Sequence, residues 1–458
     1  MAYLTRLRAL NGNPASSAGG CVLYVASRDP RLSDNHGLAA AQALALERKL
    51  PLAVVFCLQP RAGRRAREHF EFLLTGLGEL EAGLAARNIP FMLLVGEPLS
   101  RLRGLLHHLT PAALYFDFNP LRGPQNLHAA VAAEAPCAVY EADSHNIVPA
   151  WLASPKLEIG ARTFRSKVMR LLPEYLQQAA PPLRRHPHDW PGTVRSIDEL
   201  ATLTDEVLDG LTANGTDITR FVPGEAAAQA ALGAFIEQRL DGYAERRNDP
   251  AQDYESHLSP YLHYGLLSAA EAVRAVSAAA AEMPRLQADA DAFIEQLVVR
   301  KELSDNFCLY QADYDSLKGA PAWALLSIER HREDPRPFIY SRGQLEYGMT
   351  QDPGWNASQL QLIRSGKMHS YMRMYWAKKV LEWSASPEEA LETLLYLNDF
   401  YSIDGGDPNG YAGILWSLAG LHDRPWPDRA VFGTVRSMVY GGLKRKFDIA
   451  AYEARWQP

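Results

Sequence analysis

CVLYVASRDPRLSDNHGL, residues 21–38, decides the first half of the fold. Residues 21–26 form a short apolar, β-branched run. A polar loop follows, and from Leu38 to Lys49 apolar residues recur at the three- and four-residue spacing of a helix. The same alternation recurs downstream. Strand-like runs are expected over 52–58, 90–95, 112–117 and 138–142, with a further helical stretch at 69–87. Strands separated by helices build a parallel sheet covered on both faces, so a doubly wound α/β domain is expected over 1–178. The loop after the first strand carries no G-x-G-x-x-G, so the glycine turn that brings backbone against a dinucleotide pyrophosphate is missing there.

Downstream of 178 the pattern changes. Pro181, Pro182, Pro187 and Pro191 mark a linker over 179–195, and from 196 to 458 amphipathic helical periodicity dominates, which makes the second domain all-α. Pro and Gly clusters interrupt it near 247–260, 333–343 and 404–411. A chain of 458 residues with 47% hydrophobic and 22% charged residues is expected to form two packed globular domains. Its longest apolar runs are too short to span a bilayer, and the N-terminus has no sustained apolar core, so a cytoplasmic location is expected. Cys21, Cys57, Cys137 and Cys308 are scattered without C-x-x-C spacing, which points to buried thiols, with neither disulfides nor a metal centre.

Four clusters carry chemistry. In MHSYMRMYWAKKVLEW (368–383), Met372, Trp376, Lys379 and Trp383 share one helix face, and Arg373 points elsewhere. Core packing explains the same spacing. YSIDGGDPNGYAGILW (401–416) places Asp404 and Asp407 among glycines, where backbone can approach a flat ligand while the acids accept its hydrogen bonds. A Gly-rich turn with an Asp cap reads equally well. ESHLSPYLHYG (255–265) sets Ser256 and Ser259 ahead of a helix start, suited to phosphate oxygens or to plain capping. Finally, 424–446 holds Arg424, Arg429, Arg436, Lys444, Arg445 and Lys446 against Asp428, six positive charges minus one negative, or +5 in a chain of net charge −6. With Trp426, Phe432 and Tyr440 interleaved, the segment suits phosphates and bases, although charged runs are commonly just solvated.

Together with RDPRLSDNHGL (28–38), DFNPLR (117–122), EADSHNIVPAWLAS (141–154), RTFRSKV (162–168), LSPYLHYG (258–265), VVRKELSDNF (298–307) and DPNGYAGILWS (407–417), these clusters resemble the photolyase and cryptochrome family, and within it the class II enzymes. The resemblance implies an α/β domain that can hold a light-harvesting pigment such as a deazaflavin, and a helical domain that buries FAD, active in its reduced anionic form. It implies light-driven repair of cyclobutane pyrimidine dimers in UV-damaged DNA by a monomer. Tyr243, Ser256, Leu258 and Ser259 match the part that cradles FAD phosphates and ribose. Arg373 and Asp404 or Asp407 match groups around the isoalloxazine, and Asn398 matches the Asn near flavin N5. Trp376, Trp355 and Trp383 would form an electron path assisted by Tyr371. Met374 and Trp416 would line the dimer pocket. Arg424, Trp426, Arg436 and Arg445 would enter the hole left by the flipped dimer.

This chain departs from the pattern at Glu295-Gln296, where two adjacent acids are common, so Gln296 stands where an acid would meet the dimer. An amide can donate to a carbonyl but carries neither charge nor transferable proton. His36 stands where Trp is common, and Gly406 where Arg is expected. Three other readings share these residues: a cryptochrome-like photoreceptor, repair of (6-4) photoproducts through His263, and an electron-transfer flavoprotein without a nucleic-acid partner. The absence of a long extension after the basic segment disfavours the first, and the +5 segment disfavours the last.

Overall fold

The computed structural model describes residues 5–60, 63–192 and 208–457. Its first half is a six-stranded sheet in the order β1-β6-β5-β2-β3-β4, made of β1 (Leu7–Ala9), β2 (Val22–Ala26), β3 (Leu52–Leu58), β4 (Phe91–Val95), β5 (Ala113–Asp117) and β6 (Ala138–Ala142). β2 to β6 pair in parallel, and β1 adds an antiparallel edge beside β6. Five strands fall within one residue of their expected limits. β1 was not anticipated, because three residues of mixed polarity carry no readable period.

Helices α1 (His36–Arg48), α2 (Arg67–Ala85), α3 (Pro98–Leu109), α4 (Arg122–Glu134) and α5 (Ala161–Leu176) complete this half. α1 starts where Asn35 accepts from the Leu38 amide and ends at Lys49, whose φ is 55°. Alternate strand residues feed two cores: Val22 and Tyr24 pack with Leu73 and Phe70 on one face, Leu23 and Val25 with Leu102 and Val131 on the other. At the carboxyl end of β5, Asp117 accepts from the amides of Ser27, Arg28 and Asp29 at 2.8, 3.1 and 2.9 Å and from the Tyr24 hydroxyl. Cys21 and Cys137 are buried in this half and Cys308 in the other, while Cys57 is partly exposed.

The described part of the linker packs back onto the α/β half: His186 donates its amide to Arg87 O at 2.7 Å, and the Gln42 side chain bonds the Arg184 backbone. Residues 193–207, which include the end of the expected linker, lie outside the described residues. Beyond them the described regular structure is helical: α6 (Glu225–Gln238), α7 (Ala269–Glu282), α8 (Gln287–Ile294), α9 (Lys301–Tyr310), α10 (Ala322–Arg330), α11 (Pro353–Ser365), α12 (Ser370–Trp383), α13 (Pro387–Tyr401), α14 (Pro408–Ala419), α15 (Tyr440–Lys446) and α16 (Ile449–Trp456). Between α8 and α9, Glu295–Arg300 winds as a π-helical turn. No described helix is long and apolar enough to cross a membrane.

Buried charge joins the halves. Arg28 forks onto Asp305 at 2.7 and 2.8 Å, Asn146 donates to the same carboxylate at 2.8 Å, and Lys301 donates to His145 O and Asn146 Oδ1 at 3.1 Å each. Burial pushes the Asp305 carboxyl up, but the Arg28 guanidinium and its hydrogen bonds outweigh it and hold the group well below the usual carboxylate range. Leaving either partner alone in this site strands a buried charge. Asp305→Ala is therefore expected to cost about 3–5 kcal/mol in urea unfolding, and the double replacement Arg28→Met with Asp305→Leu appreciably less.

Burial also pushes the His36 imidazole down to about 3, so it stays neutral where the unfolded chain protonates. A depressed value contributes stability that is complete above the ordinary value near 6.5 and is lost as pH falls below it. The stability difference between wild type and His36→Gln should shift against the wild type by about 1 kcal/mol per pH unit from pH 6.5 to 5, as read by thermal unfolding at each pH.

Candidate active site

A cleft opens where the two halves meet. One cavity, about 250 Å³, is lined by Ser27 and Asn119 beyond the carboxyl ends of β2 and β5, and by Tyr243, Ser256, Ser259 and Gln296 of the helical half. A second cavity of about 340 Å³ shares those last four residues and adds Arg247, His257, Lys367, Arg373 and Asp404. The carboxyl ends of parallel strands are where doubly wound sheets leave a crevice, and here the helical half closes it.

Asp404 organises the floor. Lys367 donates to its Oδ2 at 2.5 Å, Ser402 to Oδ1 at 2.6 Å, and Arg373 reaches Oδ1 at 3.4 Å. Burial alone would raise the carboxyl, but these cations and bonds hold it far below the usual range, so it is an anion. Arg373 is fixed further by Ser402 Oγ at 2.7 Å and Asn398 Oδ1 at 3.0 Å, and Asn398 passes on to Asp399 at 2.9 Å. Asn398 thus stands behind Arg373, outside the lining of either cavity. Asp407 caps α14 by accepting from the Gly410 amide at 2.6 Å, and burial with the neighbouring Asp404 charge pushes it up to about 6. Gly406 lines the first cavity with φ 75°, and a Cβ there would meet nothing nearer than 3.9 Å, so the missing side chain leaves room in the cleft.

Ser256 and Ser259 line the cleft, whereas Leu258 is fully buried in the core. The helix behind Ser259 has five residues, Ser259–His263, too few for much dipole. Positive charge comes instead from Lys367, whose ammonium donates to Ser259 Oγ. His257 holds φ 58° beside these groups, a strained conformation of the kind found at ligand sites.

Gln296 lies on the π turn and faces both cavities, while its neighbour Glu295 turns away to pair with Arg165 of α5 at 2.5 and 2.9 Å. Adjacent residues on a helix point about 100° apart, which lets Glu295 and Gln296 serve the domain contact and the cleft separately.

Arg373 and Trp376 are three apart on α12, so the indoles begin one turn behind the cleft. Trp376 donates to Gln359 Oε1 at 2.8 Å. Trp355 donates to the Trp376 carbonyl at 3.0 Å, and its ring meets Trp383 edge-on at 5.6 Å between centroids. Trp383 is only 1% exposed, so the row stops short of solvent. Tyr340 continues it at 5.4 Å, with Phe338, 48% exposed, at 6.1 Å beyond. Tyr371 lies elsewhere, against Phe447 at 4.8 Å and under Lys446.

Met374 and Trp416 are partly buried, and Trp416 sits 4.8 Å from the ammonium of the fully buried Lys378. Asn409, Gly413 and Trp416 follow one another along one face of α14, and nothing lies within 4 Å of where a Gly413 Cβ would project. In the basic segment Trp426 lies between two guanidinium groups, Arg424 at 5.4 Å and Arg436 at 4.8 Å, and its indole N–H donates to Asp423. Asp428, the lone acid of the segment, is engaged by His331 at 3.0 Å. Arg445 is exposed on α15, beside the Lys444 and Lys446 that cover Tyr440 and Tyr371. Arg247, Lys367 and Tyr340 were not singled out from sequence. Lys367 directly precedes a motif that was read, and the other two sit in the Pro- and Gly-interrupted stretches near 247–260 and 333–343, read only as breaks between helices.

Among known proteins, the DNA photolyase family model matches residues 22–187. A deoxyribodipyrimidine photo-lyase of Oryza sativa subsp. japonica is 45% identical over 95% of this chain and 87% of its own length. One from Potorous tridactylus is 41% identical over 95% of this chain and 81% of its own. The chain belongs to the DNA photolyase family. A bacterial class III photolyase from Agrobacterium tumefaciens shares the fold with a TM-score of 0.73 at 20% identity, covering 96% of this chain and 87% of that one. The photolyase scaffold thus accounts for both halves and for the cleft between them.

The glycines of this photolyase site separate by function. A Cβ on Gly405 would fall 2.5 Å from Asn398 O and 2.8 Å from Asp399 Cα, both backbone. Gly405→Ala is expected to lower stability by about 1–3 kcal/mol by displacing the loop that carries Asp404 and Asp407. Gly413→Ala, in open space on a helix, should be neutral or stabilising by up to about 1 kcal/mol. Urea unfolding of the two variants checks the contrast.

Proposed function

We propose that this protein repairs cyclobutane pyrimidine dimers in UV-damaged DNA with light, as a class II photolyase acting as a cytoplasmic monomer with FAD in the cleft. The carrying observation is the Arg373–Asp404 pair on the floor of a cleft of dinucleotide size, in a chain whose relatives are named deoxyribodipyrimidine photo-lyase. The donor set fits FAD. Lys367, Arg247 and the Ser256 and Ser259 hydroxyls suit a pyrophosphate and ribose, Tyr243 supplies an apolar wall, and the space at Gly406 admits a flat ring. Bound in its reduced anionic form, FAD supplies the light-excited electron that opens the cyclobutane ring and receives it back. A light-collecting pigment such as a deazaflavin, carried by the α/β half, belongs to the same reading.

The remaining roles fall to side chains. Arg373, held by Asp404, Ser402 and Asn398, presents fixed positive charge where an anionic ring is favoured. Trp376, Trp355 and Trp383, continued by Tyr340, carry an electron from a reductant at the surface towards the cleft. Gln296 donates its amide to a dimer carbonyl, and Trp416 with Met374 offers apolar surface to the flipped bases. Arg424, Trp426 and Arg436 form a guanidinium-aromatic wedge for the strand opened by flipping, with Arg445 on phosphate.

Reduced holoprotein mixed with an oligonucleotide carrying one thymine dimer should restore thymine absorbance under near-ultraviolet light and not in the dark. No restoration with FAD bound and reduced would favour a photoreceptor. Trp376→Phe is expected to slow photoreduction of oxidised FAD at least about tenfold while sparing repair by chemically reduced protein. Arg436→Ala should weaken damaged-DNA binding and lower the slope of log affinity against log salt by about 1.

A further inference from the structure

Arg300 closes the π turn on which Gln296 lies, and both line the second cavity of the cleft. Its guanidinium is half exposed at 52%, with Nε 3.3 Å from Glu295 Oε1. That carboxylate is already gripped by both donors of Arg165. Two guanidinium groups against one carboxylate leave a net positive charge at the cleft mouth. Arg300 also adds to the burial that holds the His422 imidazole neutral. A cation at this spot is not needed to hold the halves together, since Arg165 already grips Glu295.

A pyrimidine dimer presents carbonyl oxygens and imide N–H groups on its exposed edge. Gln296 offers one amide with both a donor and an acceptor. Arg300 offers only donors, in a planar fork suited to adjacent oxygens. The cleft mouth is therefore rich in donors where an acid would have supplied acceptors. Resting on the proposed function above, we infer that Arg300 is a lesion-specificity residue of this cleft, whose guanidinium donates to carbonyl oxygens of the flipped dimer beside Gln296. It serves the recognition that a carboxylate at position 296 would otherwise share, by the opposite hydrogen-bond polarity.

The test is dark binding of the FAD-loaded full chain to two labelled duplexes, one with a single thymine dimer and one undamaged, followed by fluorescence anisotropy. Arg300→Gln is expected to lower the ratio of damaged to undamaged affinity about tenfold, and Arg300→Lys, which keeps the charge and loses the fork, by an intermediate factor. Glu295→Gln should leave the ratio within about twofold. An equal loss on both duplexes would overturn the inference by making Arg300 a phosphate contact. An unchanged ratio in Arg300→Gln, or an equal fall in Glu295→Gln, would make it part of the domain strut and overturn it as well. The repair assay on wild type separates the two claims. Discrimination that depends on Arg300 without light-driven repair would sink the proposed activity alone, and repair with discrimination indifferent to Arg300 would sink this inference alone.

Discussion

The Arg28–Asp305 fork is the contact on which the rest of the molecule depends. It buries a guanidinium from the loop after β2 and a carboxylate from α9, and each would be intolerable without the other. Around it, Asn146 and Lys301 complete the hydrogen bonding, and the Glu302 carboxylate accepts from the Ile147 amide at 2.6 Å. The pair fixes the distance between β2 and the π turn, and with it the width of the cleft whose walls both elements carry. Arg28 and Lys301 themselves line the first cavity, so the strut and the site share atoms.

Much of this was legible in the sequence, for reasons that differ by region. β2, β3 and β5 are buried on both faces, and continuous apolar runs of that length, bounded by turn residues, have few alternatives. The indoles of α12 announced their face through spacing. The loop at 404–410 was legible as a Gly-rich turn with an Asp cap, and Asp407 caps α14 there, while Asp404 and Gly406 line the cleft. What spacing could not show is which distant charges meet. RDPRLSDNHGL, EADSHNIVPAWLAS and VVRKELSDNF were legible as family marks, yet the structure uses them largely to join the halves. No local pattern reports that Arg28 pairs with a residue 277 positions away.

The Glu295-Gln296 pair shows a second limit. Helical spacing over 287–310 sets neighbouring residues about 100° apart, which lets the two face different ways but does not say what either meets. In the folded chain the acid meets Arg165 and the amide meets the cleft. Adjacent residues that looked like a single feature therefore divide into a structural group and a site group. A departure from the usual pair of acids at that point changes only one of them.

The carboxylate of Asp117 has an effect on the sheet that its hydrophobic pattern could not provide. Where both faces of a strand are apolar, sliding it by one residue exchanges one greasy side for another and costs little polarity mismatch. Asp117 removes that freedom, because one oxygen gathers three successive amides of the loop after β2 while Tyr24 holds the other. A slip of β5 along β2 would withdraw the carboxylate from all of them together and leave it buried and bare. The central strands are thus indexed by a polar latch at their carboxyl ends, as a ratchet is held by its pawl.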